Sequence, residues 1–445
     1  MKTPPGGFGD GDRVLVPLAL AQFICSFAGS NMNVMINDIS ADLDTDVHGV
    51  QLAITIFLVV MAALMVPGGK LTDRWGRKRC FTLGLVLYGI GAVLSAVAPG
   101  LPVLILGNSI LEGIGTALLI PPVYILTTVH FAAGSRARAF GVISAMGGVG
   151  AATGPLIGGL ITSAISWRAA FVFQAAIVAL IAWMARKIVD PIPADPTRPF
   201  DLKGAVLSAA GLVLIVVGIL AADDNLWLFL GLIGLGFVVL ARFFHTMRTR
   251  SDPLLSPDLF RNRTANLGLV TQHVQWLLLM GISFVVATYF QVIHGYSAVH
   301  TGLIFTSATA GILVSSLAAG PLTRRFQQRN LIVAGFLVTF TGIVLLLTVR
   351  SVAWPGLLVI GLGLGGMLTP SVNVVQSSFP EARQGEISGV SRSVSNLGSA
   401  LGTAIAGTVL VAGLTDHDYA LALVVLAVMG VVGLVGALRL PVTRA

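Results

Sequence analysis

Charge is scarce in this sequence. Only 10% of its 445 residues are Asp, Glu, Lys or Arg, while 55% are hydrophobic and the mean hydropathy is +0.91. Water-soluble domains carry roughly a quarter of their residues as charges, so a soluble globular class is excluded. Cysteine is scarcer still. Cys25 and Cys80 stand alone in separate apolar stretches, which argues against a disulfide framework or a thiolate metal cage. The 7 histidines are scattered, with no pair spaced to bind a metal from one helix face. No glycine-rich phosphate loop with its lysine is present, which argues against an ATP-driven pump. Neither an enzyme nor a metal site is expected. Period-2 alternation is also missing, and a lipid-exposed chain that is not a closed barrel must be helical.

What the sequence has in quantity is apolar runs of about 20 residues, the length a helix needs to cross a hydrocarbon core roughly 30 Å thick. They predict fourteen spans, at 14–38, 48–69, 80–98, 102–129, 137–163, 168–187, 204–221, 225–246, 265–291, 299–320, 330–349, 355–377, 385–413 and 419–439. The 52 glycines suit helices that pack closely in lipid. Polar connections at 189–202 and 247–264 divide the chain into a six-helix bundle at 14–188, an inserted pair at 204–247 and a second six-helix bundle at 264–440. The N-terminal residues lack the form of a cleavable signal, so the first span is expected to stay and to direct insertion.

Basic residues orient these spans. Arg136, Arg138, Arg186, Lys187, Arg248, Arg250, Arg261, Arg263, Arg324, Arg325 and Arg329 fall in even-numbered connections. The odd-numbered ones hold only Arg168 and Arg350, and the first carries Asp38, Asp42, Asp44 and Asp46. Both termini are therefore expected in the cytoplasm, in a multi-pass protein of the plasma (inner) membrane. The net charge of +8 then reflects topology and contact with membrane lipids, not a nucleic-acid partner.

The densest charge is GGKLTDRWGRKR, Gly68 to Arg79, where half of the residues are charged. GKLTDRWGRKR has a fainter echo in GPLTRRFQQRN, Gly320 to Asn330, at the equivalent place in the second bundle. A repeat of halves marks several secondary transporter folds.

These residues resemble the major facilitator superfamily. GKLTDRWGRKR is similar to its signature between helices 2 and 3, and GAATGPLIGG, Gly150 to Gly159, to the signature of its antiporters. SWRAAFVFQ, Ser166 to Gln174, and GEISGVSRSVSNLGSALG, Gly385 to Gly402, resemble the sixth and penultimate helices of its fourteen-helix drug:proton antiporters. The resemblance implies two six-helix bundles plus two additional helices, and export of lipophilic or cationic small molecules by proton antiport. A lipid or lipophilic-metabolite transporter of the same fold, with weak or no proton coupling, is the alternative. No cofactor is expected beyond the proton gradient. The expected partners are an amphipathic small molecule and membrane lipids, with the protein a monomer.

Candidate residues follow. Gly69, Asp73, Arg74, Gly76 and Arg77 are read as a gate that closes the cytoplasmic side when Asp73 docks at the start of helix 13, near Gly385 and Glu386. Glycines allow a tight turn, and an aspartate suits a helix N-terminus. Gly150, Gly154, Gly158 and Gly159, with the bend expected at Pro155, are read as lining helix 5 against the second half.

Glu112 is the carboxylate near the middle of a span. A buried carboxyl can hold a proton near neutral pH, so Glu112 is the leading proton carrier. The family usually places an arginine three residues before a glutamine there; Ser109 and Glu112 occupy those places here. His273 is a second candidate and Asp38 a possible entry point. Arg392 is read as pairing with Glu386 or reaching the cytoplasmic surface. Asn33, Asn37, Gln272, Gln275, Trp276, Asn373 and Gln376 are candidate liners of a midplane cavity between the halves.

Overall fold

The computed structural model describes residues 8–131, 133–190, 194–195, 197, 200–222, 225–250, 254–349, 353–380 and 383–441. Among them there is no strand. The long helices are α1 (Phe8–Asn31), α2 (Val47–Trp75), α3 (Arg77–Ala96), α4 (Leu101–His130), α5 (Ala133–Ala164), α6 (Trp167–Ala185), α7 (Leu202–Leu220), α8 (Leu226–Thr249), α9 (Arg263–Ile293), α10 (Ala298–Arg325), α11 (Gln328–Thr348), α12 (Trp354–Gln376), α13 (Gln384–Val411) and α14 (Asp416–Leu438). Among the described residues thirteen are long and apolar enough to cross a bilayer, and α5, taken as one bent span, makes a fourteenth. α5 bends by 44° between Ala139–Ala151 and Thr153–Ala164. Pro155 lies just beyond this break, and its missing N–H leaves the carbonyl of Ala151 without its helical donor.

The first span stops sooner than hydropathy predicts. α1 ends at Asn31, a 3₁₀ turn follows at Met32–Val34, and a short helix runs over Ile36–Asp42. Asp38 therefore sits in the first turn of that short helix, not in an open loop.

α1 packs against α5, α6 and α4, and α3 lies between α4 and α6. In the second bundle α9 packs against α12, α13 and α14, and α12 lies between α10 and α11. The halves meet along two helix pairs, α2 with α13 and α5 with α10. The second seam is close because it is glycine-lined. A Cβ on Gly159 would lie 2.4 Å from the Ala298 carbonyl oxygen, and one on Gly302 2.7 Å from that of Pro155. The inserted α7 rests on α2 and α13, while α8 packs on α7 and presents most of its surface outward.

Two ends of the molecule follow from this arrangement. The basic face carries the α2–α3 turn and the connections around the inserted pair. The opposite face carries the short helix and the α5–α6 turn. There Arg168, one of the few cations in an odd-numbered connection, is ion-paired with Asp42 and donates to the Ala98 carbonyl at 2.8 Å. Trp167 donates to the same Asp42 carboxylate at 2.9 Å, and Ser166 caps α6. The Ser-Trp-Arg stretch thus ties α6 to the residues that follow α1.

Candidate functional site

At the basic face the charged knot is a turn between α2 and α3. Gly76 has φ +92°, a conformation glycine adopts without a Cβ clash, and it links the end of α2 to the start of α3. The echo does not reproduce this turn: Gln327, in the equivalent place, has φ −65°. Asp190, from the connection after α6, accepts hydrogen bonds from the backbone N–H of Arg77 at 2.8 Å and of Lys78 at 3.3 Å. It is the acid that meets the exposed amides at the start of α3.

Asp73 instead pairs with Arg77 at 3.0 Å, one turn further on, and its backbone carbonyl accepts from Asp195 N–H at 3.4 Å. Of the two residues expected to receive Asp73 at the start of α13, Glu386 has other partners. Glu386 accepts from Ser256 N–H at 2.8 Å and pairs with Arg383 at 3.3 Å. Connections flanking the inserted pair therefore hold both the α2–α3 turn and Glu386. Gly69 lies against Pro121 of α4, and Arg74 is in the last turn of α2.

The α5 glycines divide between two partners. Gly150, Gly154 and Gly158, four residues apart, face α1: their Cβ positions would meet Phe23, Ser30 and Asn31. Gly159 and Pro155 face α10. The latter pair lies at the seam with the second half, while the regular glycine stripe is an α1–α5 contact.

Glu112 is fully buried inside the first bundle. It closes a π-helical stretch of α4, Ile105–Glu112, a backbone irregularity often found at functional sites. Oε2 accepts from Asn108 Nδ2 at 3.3 Å, and Oε1 has no hydrogen-bond partner. The Tyr88 hydroxyl lies beside the carboxyl and donates to Gln174 Oε1 at 2.6 Å. Gly91 of α3 presses on the group so closely that a Cβ there would lie 2.9 Å from Glu112 Cγ. Cys25 and Thr116 complete the surround. Tyr88, Asn108 and Gln174 carry no signal by themselves in the sequence. Asn108 shows one only through its i, i+4 spacing to Glu112.

The polar residues of α9 stitch the second bundle together. Gln272 accepts from Ser391 at 2.7 Å, and Gln275 donates to Leu364 O and accepts from Ser371, both at 3.0 Å. His273 Nδ1 lies 3.1 Å from Val394 O. Trp276 is half-buried. Asn373 and Gln376 lie in the last turns of α12, with Gln376 donating to Ser388 at 3.5 Å. Asn33 and Asn37 are part of a tie between halves: Gln291 of α9 donates to Asn33 O at 2.8 Å and accepts from Asn37 N–H at 3.5 Å. Asp38 is exposed at this end, and partial burial of its carboxyl raises its pKa above the ordinary value. Among the described residues no group of three or more His, Cys, Asp or Glu converges as a metal site would.

Further ties join the halves towards the opposite face. Val299 N–H donates to Ser163 Oγ at 3.1 Å, and Gln51 donates to the carbonyls of Thr403 and Ala404 at 3.3 and 3.2 Å. Nearer the basic face the described cross-half hydrogen bonds are Ser393 to Ala62 O at 2.6 Å and Arg392 to the Tyr124 hydroxyl. Arg392 does not meet Glu386. Six residues apart on one helix, the two side chains leave it about 120° apart.

Two related six-helix halves, meeting along paired helices and holding a buried carboxyl, define a secondary transporter. The family model for the Major Facilitator Superfamily matches residues 18–403 and 268–445, and the chain belongs to that superfamily. It is 31% identical over 422 residues to the puromycin resistance protein pur8 of Streptomyces alboniger, covering 91% of this chain and 83% of that one. It is 27% identical over 412 residues to the multidrug resistance protein Stp of Mycobacterium tuberculosis, covering 90% and 76%. The fold is shared with a peptide transporter POT in complex with sulfate, at a TM-score of 0.73 and 19% identity over 100% of this chain and 98% of that one.

Proposed function

We propose that the protein exports amphipathic small molecules across the cytoplasmic membrane in exchange for protons, its basic face turned to the cytoplasm. The observation that carries the coupling is Glu112. A carboxyl buried in the membrane with one oxygen unpartnered costs less free energy protonated than charged, unless the protein opens around it. Rearrangement of α3 against α4 would alter that balance and let the proton leave on one side after loading on the other. Resistance and multidrug relatives support amphipathic cargo. Ties at the opposite face, Gln291 to Asn33 and Val299 to Ser163, support a conformation closed at that face.

The test is flux of a labelled amphipathic compound into inverted or reconstituted vesicles with an imposed pH gradient. Accumulation should follow the gradient in the parent and fall to simple equilibration in Glu112→Gln. Undiminished accumulation in the variant removes Glu112 as the coupling group. Gradient-independent movement in the parent removes antiport itself.

A further inference from the structure

Arg392, unlike Glu112, is a charged group that stands between the halves. It lies about 12 Å along α13 from Gln384, at the ordinary helical rise, well inside the basic face. Its guanidinium reaches across to the first half. It donates to the Tyr124 hydroxyl of α4 and lies 5.5 Å from the centre of the Tyr124 ring. Tyr124 stacks on Phe140 of α5 at 5.9 Å and donates to Gln22 of α1 at 3.4 Å. Gln22 in turn donates to Ser26 at 3.2 Å. The result is a wall between the halves, half-buried apart from the buried Gln22, with one cation from the second half and an aromatic, hydrogen-bonding surface from the first.

The wall has an electrostatic deficit. No ion pair joins Arg392 to a carboxylate among the described residues, and a phenol hydroxyl occupies only one of the five guanidinium N–H donors. An uncompensated cation at membrane depth is costly, and such groups pair with an anion or line a pathway. Glu112 cannot supply the anion, because it is sealed in the first bundle behind Gly91.

We infer that Arg392, with Tyr124, Phe140 and Gln22, is a recognition site for amphipathic organic anions: compounds with a carboxylate-like head and a flat aromatic body. The head takes the free guanidinium donors in the fork geometry that suits carboxylates, and the body stacks on Tyr124 and Phe140. Seating it requires the Arg392–Tyr124 contact to open, which links cargo binding to the relation between the halves. The inference deepens the export reading and rests on it for its biological setting.

The test uses two probes of matched shape and opposite charge, 2-naphthoate and 2-naphthylmethylammonium, binding to the full-length protein in lipid nanodiscs. Naphthoate should bind at least about tenfold tighter, the scale of one or two charge-assisted hydrogen bonds. Arg392→Gln should remove about that factor for naphthoate and leave the ammonium probe unchanged. Should Arg392→Gln not yield monodisperse protein, Arg392→Lys replaces it: weakened naphthoate binding with unchanged ammonium binding supports the site, because lysine lacks the fork. Equal or tighter binding of the ammonium probe, or naphthoate binding indifferent to the Arg392 variants, overturns it. Naphthoate binding through Arg392 without gradient-driven flux would defeat the export reading and leave this one standing. Gradient-driven flux of the ammonium probe alone would do the reverse.

Discussion

Glu112 is held by shape as much as by hydrogen bonds. Gly91 leaves no room: a Cβ there would lie 2.5 Å from the Gly107 carbonyl oxygen as well as against Glu112. Gly91→Ala should therefore force α3 from α4 and cost about 1–3 kcal/mol, read as a lower unfolding temperature in detergent. Gly141→Ala is the control, because a Cβ there meets nothing within 4 Å. Equal effects of the two substitutions would contradict the packing argument. The Tyr88 hydroxyl has a different role, since it is buried and satisfies Gln174. Tyr88→Phe leaves the Gln174 amide oxygen without that donor and should cost about 1–3 kcal/mol in the same assay.

At the scale of single helices, the α2–α3 turn separates what the sequence displays from what it conceals. Its signature is legible because glycine at positive φ and a charged end are local requirements. Its partner is not, because Asp190 lies 113 positions from Arg77. The acid that serves the first turn of α3 comes from the connection after α6, while Asp73, which stands in the motif itself, turns to Arg77. Asp190→Ala should destabilise α3 by about 1 kcal/mol, the usual cost of losing a cap, measured by thermal unfolding. No loss would mean that water serves those amides equally well. The α5 stripe teaches the same lesson. Four-residue spacing reveals that Gly150, Gly154 and Gly158 share a face, but not that the face meets α1, with α10 one residue round the helix at Pro155 and Gly159. Hydropathy and basic-residue bias run along one dimension, so spans and halves could be read from them. Tyr124 and Arg392 are 268 residues apart, and nothing in either segment announces the other.

At the scale of the whole molecule, several of the described ties between halves lie at the face opposite the basic one. Ser163 and Val299 bring the close of α5 against the opening of α10. A Ser163→Cys, Val299→Cys pair should cross-link on mild oxidation and arrest gradient-driven flux, with reduction restoring it. Full transport by the cross-linked protein would show that this end never parts.

The inserted pair has a mechanical consequence. The polypeptide entering α7 is fastened to the first bundle through Asp190 and Asp195, and the polypeptide leaving α8 to the second through Ser256. Asp201 and Arg250 clip the two stretches together at 2.8 Å. A hairpin moored on both banks in this way acts as a tether of fixed length, and its slack limits how widely the banks can separate.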